Sequence, residues 1–168
     1  TDHEVLNALD NGNMTFSSAN SINWGRLVPQ IVYYVSSYVS LAESGEIAYG
    51  DKLNVVVPTG NFGNILAAYY AKQMGVPIGK LICASNINKV LTDFIRTGVY
   101  DRNRQFYATT SPSMDILISS NLERLLYLLT GEDDAQVREW FTALAESGRY
   151  EVTDAVKAKM SELFYGGF

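Results

Sequence analysis

The sequence predicts an α/β fold, a three-layer parallel βαβ sheet with helices added at the C-terminal end, on three observations. Two short apolar runs, Val55-Val56-Val57 and Leu81-Ile82-Cys83-Ala84, are too short for helices, and the first is β-branched throughout. Between them, Ile65, Leu66, Ala68, Tyr69 and Met74 recur at helical spacing. Residues 119–130, 133–147 and 152–164 then carry helical periodicity with no strand between them. At 168 residues and 47% hydrophobic, the chain can bury a substantial core, so residues 1–168 read as a single α/β segment with a helical addition at roughly 119–164.

In chain order, residues 4–19 mix a short apolar patch with the turn signal Asp10-Asn11-Gly12, after which Met14-Thr15-Phe16 suits a strand. A long helix begins after Asn20, with Ser21 as its expected cap. Trp24, Leu27, Val28, Ile31, Val32, Val35, Tyr38 and Leu41 give it a broad apolar face ending near Gly45. Pro29 lies inside that run and either kinks the helix or removes a backbone hydrogen bond, at a cost of about 3 kcal/mol in an isolated helix. Strand 53–57 is expected to be buried on both faces, as in a parallel sheet. Helix 64–74 follows, stopped by Gly75 and Pro77, and then strand 80–84. Such a βαβ crossover places the two strands parallel and puts ligands outside their carboxyl ends, where Thr59-Gly60 and Ser85-Asn86 lie. Beyond Asn88 come the helix LTDFIRTG, the stretch Gln105–Ala108 and the polar turn TTSPSMD, with Gly131, Gly148 and a Thr153 cap separating the final helices. SPSMD at 111–115 either lines the ligand cleft or is a plain serine-proline turn, with Met114 and Asp115 read as packing and helix capping.

Charge and rare residues bound the function. A net charge of −5 with 13 lysines and arginines supplies no basic face for a nucleic acid. No apolar stretch reaches membrane-spanning length, and no charged and apolar leader opens the chain, so a cytoplasmic location without membrane contact is expected. Cys83 is the single cysteine and reads as a buried strand residue; His3, without ligating neighbours, reads as a surface residue, so no metal site is expected.

The chemistry concentrates in Pro58-Thr59-Gly60-Asn61-Phe62-Gly63-Asn64, between a strand and a helix N-terminus. There the first N–H groups lack intrahelical partners and the helix dipole favours negative charge, so the stretch suits a phosphate cradle. Its spacing fits neither GxGxxG nor GxxxxGK[ST], which argues against dinucleotides and nucleoside triphosphates. The alternative is a plain turn in which the glycines supply positive φ and nothing binds. Asn20, Ser21, Asn23 and Arg26 cluster at another helix start, where Arg26 meets either a phosphate or carboxylate, or solvent alone.

Four strings, NSINWGRLVPQIVYY at 20–34, PTGNFGN at 58–64, NKVLTDFIRTGVYD at 88–101 and SPSMDILISSNLERLLY at 111–127, together resemble threonine synthase of the bacterial and fungal type. The resemblance implies part of the pyridoxal-phosphate fold shared with the tryptophan synthase β subunit. It also implies that Gly60, Asn61, Phe62, Gly63 and Asn64 hold the phosphate of pyridoxal 5'-phosphate. The family's reaction turns O-phosphohomoserine and water into threonine and phosphate, a lyase-type step in threonine biosynthesis.

The lysine that the family joins to its cofactor sits in a Phe-Lys-Asp string, and none of Lys52, Lys72, Lys80, Lys89, Lys157 and Lys159 has those neighbours. The resemblance therefore implies no catalytic residue in this chain, with that lysine expected upstream. The start of the chain and its FYGGF end suggest an internal piece, from the middle or large domain of a longer enzyme and inactive alone. Its partners would be the rest of that enzyme or, through exposed edges, further copies of itself. The alternative is a non-catalytic phosphate-binding or oligomerisation α/β domain.

Overall fold

The structure, a computed structural model, describes residues 18–168; Met14-Thr15-Phe16 and His3 lie outside the described residues. Helix α1 (Trp24–Leu27) passes through a 3₁₀ turn, Val28–Gln30, into α2 (Ile31–Glu43). Pro29 sits at the start of that turn, so the helix changes its pitch where the proline lacks an N–H instead of bending around a lost bond. The N-cap is Asn23, whose side chain accepts from the Gly25 N–H at 2.8 Å, and not Ser21, which is engaged elsewhere.

Strand β1 (Leu53–Pro58), helix α3 (Gly63–Gln73) and strand β2 (Ile78–Ala84) form the expected parallel βαβ unit, with Val55 opposite Leu81 and Val57 opposite Cys83. Helix α4 (Val90–Thr97) ends in Gly98 at φ 79°, a left-handed stop that leads into β3 (Val99–Asp101). Helices α5 (Leu122–Thr130) and α6 (Asp134–Ser147) follow. After Gly148 come β4 (Arg149–Glu151), α7 (Asp154–Leu163), capped by Thr153, and β5 (Phe164–Gly167).

Three elements depart from the sequence reading. The chain end is a strand: β5 pairs parallel with β2, giving the order β1-β2-β5. Glycine in Phe164-Tyr165-Gly166-Gly167 is a poor strand former, but here it lets α4 approach. A Cβ on Gly166 would lie 2.8 Å from the Thr92 carbonyl oxygen. Short β3 and β4 pair antiparallel, with Tyr100 opposite Tyr150. Their rings stack at 5.3 Å and 3°, flanked by Phe94 and Trp140. Both strands follow a helix closed by a left-handed glycine, TGVYD and SGRYE, a repeated signal that marks the pair.

The third departure is burial. Val57, Leu81, Cys83 and Phe164 join one core with α3, α4, α5, α6 and α7, but on the other face the register row Val56, Ile82, Tyr165 is open, with Val56 60% exposed. Strand β1 is thus covered on one face among the described residues, not on both. The wide apolar face of α1 and α2 is likewise used in part. Leu27 and Tyr38 are buried, whereas Trp24, Val28, Val32 and Val35 are exposed, because α2 packs along a single line on α3.

Candidate functional site

The loop from β1 to α3 is fixed at its base by Thr59, whose N–H donates to the Ala84 carbonyl at 2.8 Å and whose hydroxyl donates to the Val57 carbonyl at 2.6 Å. It then turns at Phe62, which takes φ 63°, a left-handed conformation that costs a non-glycine residue about 1 kcal/mol. Gly60 and Gly63 do not have positive φ, so the turn is made by the phenylalanine between them. Phe62 is 1% exposed, its ring 5.7 Å from Phe164 and packed in the core, and burial worth roughly 2 kcal/mol outweighs the strain. Its side chain therefore cannot meet a ligand; only its backbone can.

Helix α3 begins at Gly63 with no side-chain cap. Among the described residues, the N–H groups from Gly60 to Ile65 find no protein acceptor, and Leu66 is the first to bond back, to the Phe62 carbonyl at 3.0 Å. They border a cleft of about 270 Å³ lined by Pro58 to Asn64, Ser21, Arg26, Gln30, Ser113 and Met114. No carboxylate and no lysine is among these lining residues, while Arg26 is. One guanidinium N–H of Arg26 donates to the Ala19 carbonyl at 3.0 Å, and among the described residues the others meet no acceptor. Uncapped helical N–H groups, a dipole end and an arginine give this cleft the electrostatics of an anion site.

Of the residues singled out from the sequence, Gly60, Asn61, Phe62, Gly63, Asn64, Ser21 and Arg26 come together at the cleft. Asn20 and Asn23 do not line it; Asn23 caps α1. The Asn61 side chain donates to the Ser21 hydroxyl at 3.1 Å, joining the two walls. Tyr34 donates its hydroxyl to the Asn64 side-chain oxygen, and burial pushes the phenol up to about 12, so it stays a donor.

Sequence reasoning missed Asn121 and Arg124. The expected helix from 119 starts at Leu122, and fully buried Asn121 turns inward instead of capping it. Its side-chain amide donates to the Ser21 carbonyl at 2.8 Å and the Asn61 carbonyl at 3.0 Å. Arg124 donates to the Asn121 side-chain oxygen and, at 2.6 Å, to the Ile22 carbonyl. The expected start at 119 placed Asn121 inside the helix, and nothing local in the sequence marks its inward role.

Asp115 is not a helix cap either. It accepts from the Thr109 N–H at 2.7 Å and hydroxyl at 2.8 Å and from the side-chain amides of Asn86 and Asn88, tying the 105–115 loop to the carboxyl end of β2. The Thr109 N–H foremost holds its carboxyl below the usual range. Cys83 is buried, as expected, and burial pushes its thiol up to about 11 against the smaller opposing effect of the neighbouring Thr59 and Ser85 hydroxyls. A groove of about 940 Å³ between Trp24, Tyr70, Tyr127 and Phe141 is mainly apolar and lies apart from the loop.

No protein-family model matches the chain. It is 54% identical over 149 residues to threonine synthase-like 1 of Homo sapiens, an alignment covering 88% of this chain and 20% of that protein. It is 46% identical over 147 residues to the threonine synthase of Eremothecium gossypii, covering 82% of this chain and 28% of that one. The crystal structure of pyridoxal-phosphate-bound threonine synthase from Brucella melitensis superposes with a TM-score of 0.86 at 42% identity, over 99% of this chain and 33% of that structure's chain. The chain thus spans between a fifth and a third of the length of these relatives.

Proposed function

For a chain that belongs with the threonine synthases over the segment it shares with them, we propose a role as the part that holds the cofactor phosphate in an enzyme converting O-phosphohomoserine and water to threonine and phosphate. The observation that carries this reading is the uncapped start of α3, where Gly60 to Asn64, whose N–H groups find no protein acceptor among the described residues, line a carboxylate-free cleft. Gly60, Asn61, Phe62, Gly63 and Asn64 contribute backbone donors. Each charged hydrogen bond of this kind is worth about 1.5–3 kcal/mol, so a few suffice to anchor a phosphate dianion. When bound, pyridoxal phosphate supplies an electron sink for carbanion chemistry beside the substrate amine. Ser21 and Arg26 on the opposite wall orient the second anionic group present, the phosphate or carboxylate of the substrate. Asn20 and Asn23 support that wall through the α1 cap.

Residues 1–168 act as a single α/β segment of the larger domain, with the helical addition at 119–164 bracing the loop from behind through Asn121. The site works in an aqueous, cytoplasmic setting; among the described residues no helix is long and apolar enough to cross a membrane.

The test is a titration of the ¹⁵N-labelled chain with pyridoxine phosphate, which carries the same phosphate but no aldehyde. Saturable shifts of the Gly60 and Gly63 amides are expected; amides that stay still at millimolar ligand would defeat the reading. A phosphate-binding module without turnover is the second reading, favoured because no lysine lines the cleft. Treatment with pyridoxal phosphate and then borohydride should label the six lysines sparsely. Stoichiometric labelling of one of them would exclude the module.

A further inference from the structure

We infer that Asn121, held by Arg124, is the positioning residue that sets the phosphate loop in its anion-binding conformation; this rests on the reading of that loop as a cradle. The Asn61 carbonyl is gripped twice, by the Asn121 N–H at 3.1 Å and its side-chain amide at 3.0 Å. The Asn61–Phe62 peptide is trans, so once its carbonyl is fixed on Asn121, the Phe62 N–H points away from Asn121, and Phe62 lines the cleft. Phe62 is the strained left-handed residue of the loop, and rotating this peptide is the motion that would relax it. Rotation would break both bonds to Asn121 together.

The asparagine itself has little freedom. Its second amide hydrogen goes to the Ser21 carbonyl at 2.8 Å, and its oxygen accepts from Arg124, which also reaches the Ile22 carbonyl at 2.6 Å. Asn121 is 0% exposed, so water does not compete for these bonds. One buried side chain thereby fixes both walls of the cleft, the 60–64 loop and the segment carrying Ser21, although it does not line the cleft.

A merely structural asparagine would lower the melting temperature and leave the affinity of folded molecules alone. A positioning asparagine changes the affinity of folded molecules. Asn121→Asp preserves shape but presents an oxygen to the Asn61 and Ser21 carbonyls, and the pyridoxine phosphate dissociation constant of its folded population should rise at least about tenfold, the equivalent of one hydrogen bond. Its Gly60 and Gly63 amides should already be displaced without ligand, while those of the Tyr100–Tyr150 cluster stay in place. Arg124→Lys keeps a charged donor for Asn121 and should give an intermediate loss, serving as the test if Asn121→Asp does not fold. Wild-type affinity in a folded Asn121→Asp or Arg124→Lys protein overturns the inference and leaves the cradle standing. Wild-type amides that ignore the ligand overturn the cradle and this inference with it.

Discussion

Gly63 offers a perturbation whose steric and electrostatic parts can be separated. It opens α3 with ordinary backbone angles, and a Cβ there would make normal contact, 3.4 Å, with Asn121. Gly63→Asn should therefore fold and change anion affinity by only a few-fold. Gly63→Asp has the same shape but adds a carboxylate at the helix terminus that the anion would occupy. Two unit charges roughly 5 Å apart at an effective dielectric of about 20 repel by about 3 kcal/mol, which converts to about a hundredfold loss of affinity. The fold should not suffer, since an acid in the first turn of a helix is favourable by about 0.3–1 kcal/mol. The assay pairs amide-detected pyridoxine phosphate titrations with thermal melts of both variants. The dissociation constants should differ by about two orders of magnitude at similar melting temperatures. If the two affinities agreed within threefold, the anion would not sit at the start of α3 and the placement of the site would be refuted.

Other expectations reach the rest of the molecule. Gly166→Ala would press a Cβ to 2.8–2.9 Å of the Thr92 backbone, so urea unfolding should report a loss of about 1–3 kcal/mol, and an unchanged midpoint would disprove the close approach of α4 to β5. Cys83 is buried with its thiol pushed up to about 11, so a disulfide reagent at pH 8 should react only as fast as the protein unfolds; prompt labelling of native protein would contradict the burial. Asp115 has its folded-state carboxyl below the usual range, so its stabilising effect is complete above the ordinary carboxylate range and disappears as pH falls through the lowered value. Acid should thus loosen the 105–115 loop, read as faster amide exchange at Thr109, whereas Asp115→Asn should show that fast exchange already at neutral pH. Equal exchange in the two proteins at neutral pH would count against the carboxylate as the loop's anchor.

Sequence alone determined the parts of this protein that depend on near neighbours. The β1-α3-β2 unit follows from the switch of apolar period between Val55 and Met74, and the ends of α4, α5 and α6 from Gly98, Gly131 and Gly148, each in left-handed conformation. The proposed phosphate loop was legible as a candidate because Gly60 to Asn64 are consecutive residues at a strand-to-helix junction. Tertiary structure decided the remainder. Phe164-Tyr165-Gly166-Gly167 is a strand because α7 delivers it to the free edge of β2, where the ladder outweighs weak intrinsic preference. Val56, Val32 and Val35 look like core but are exposed, since burial depends on which surface lies opposite and not on side-chain polarity. Asn121 falls inside the helix expected over 119–130, with nothing local to single it out, until the fold brings it against Asn61, sixty residues earlier. A hydrogen bond across such a distance leaves no local period or spacing in the sequence, because its two partners meet only after the intervening strands and helices have packed.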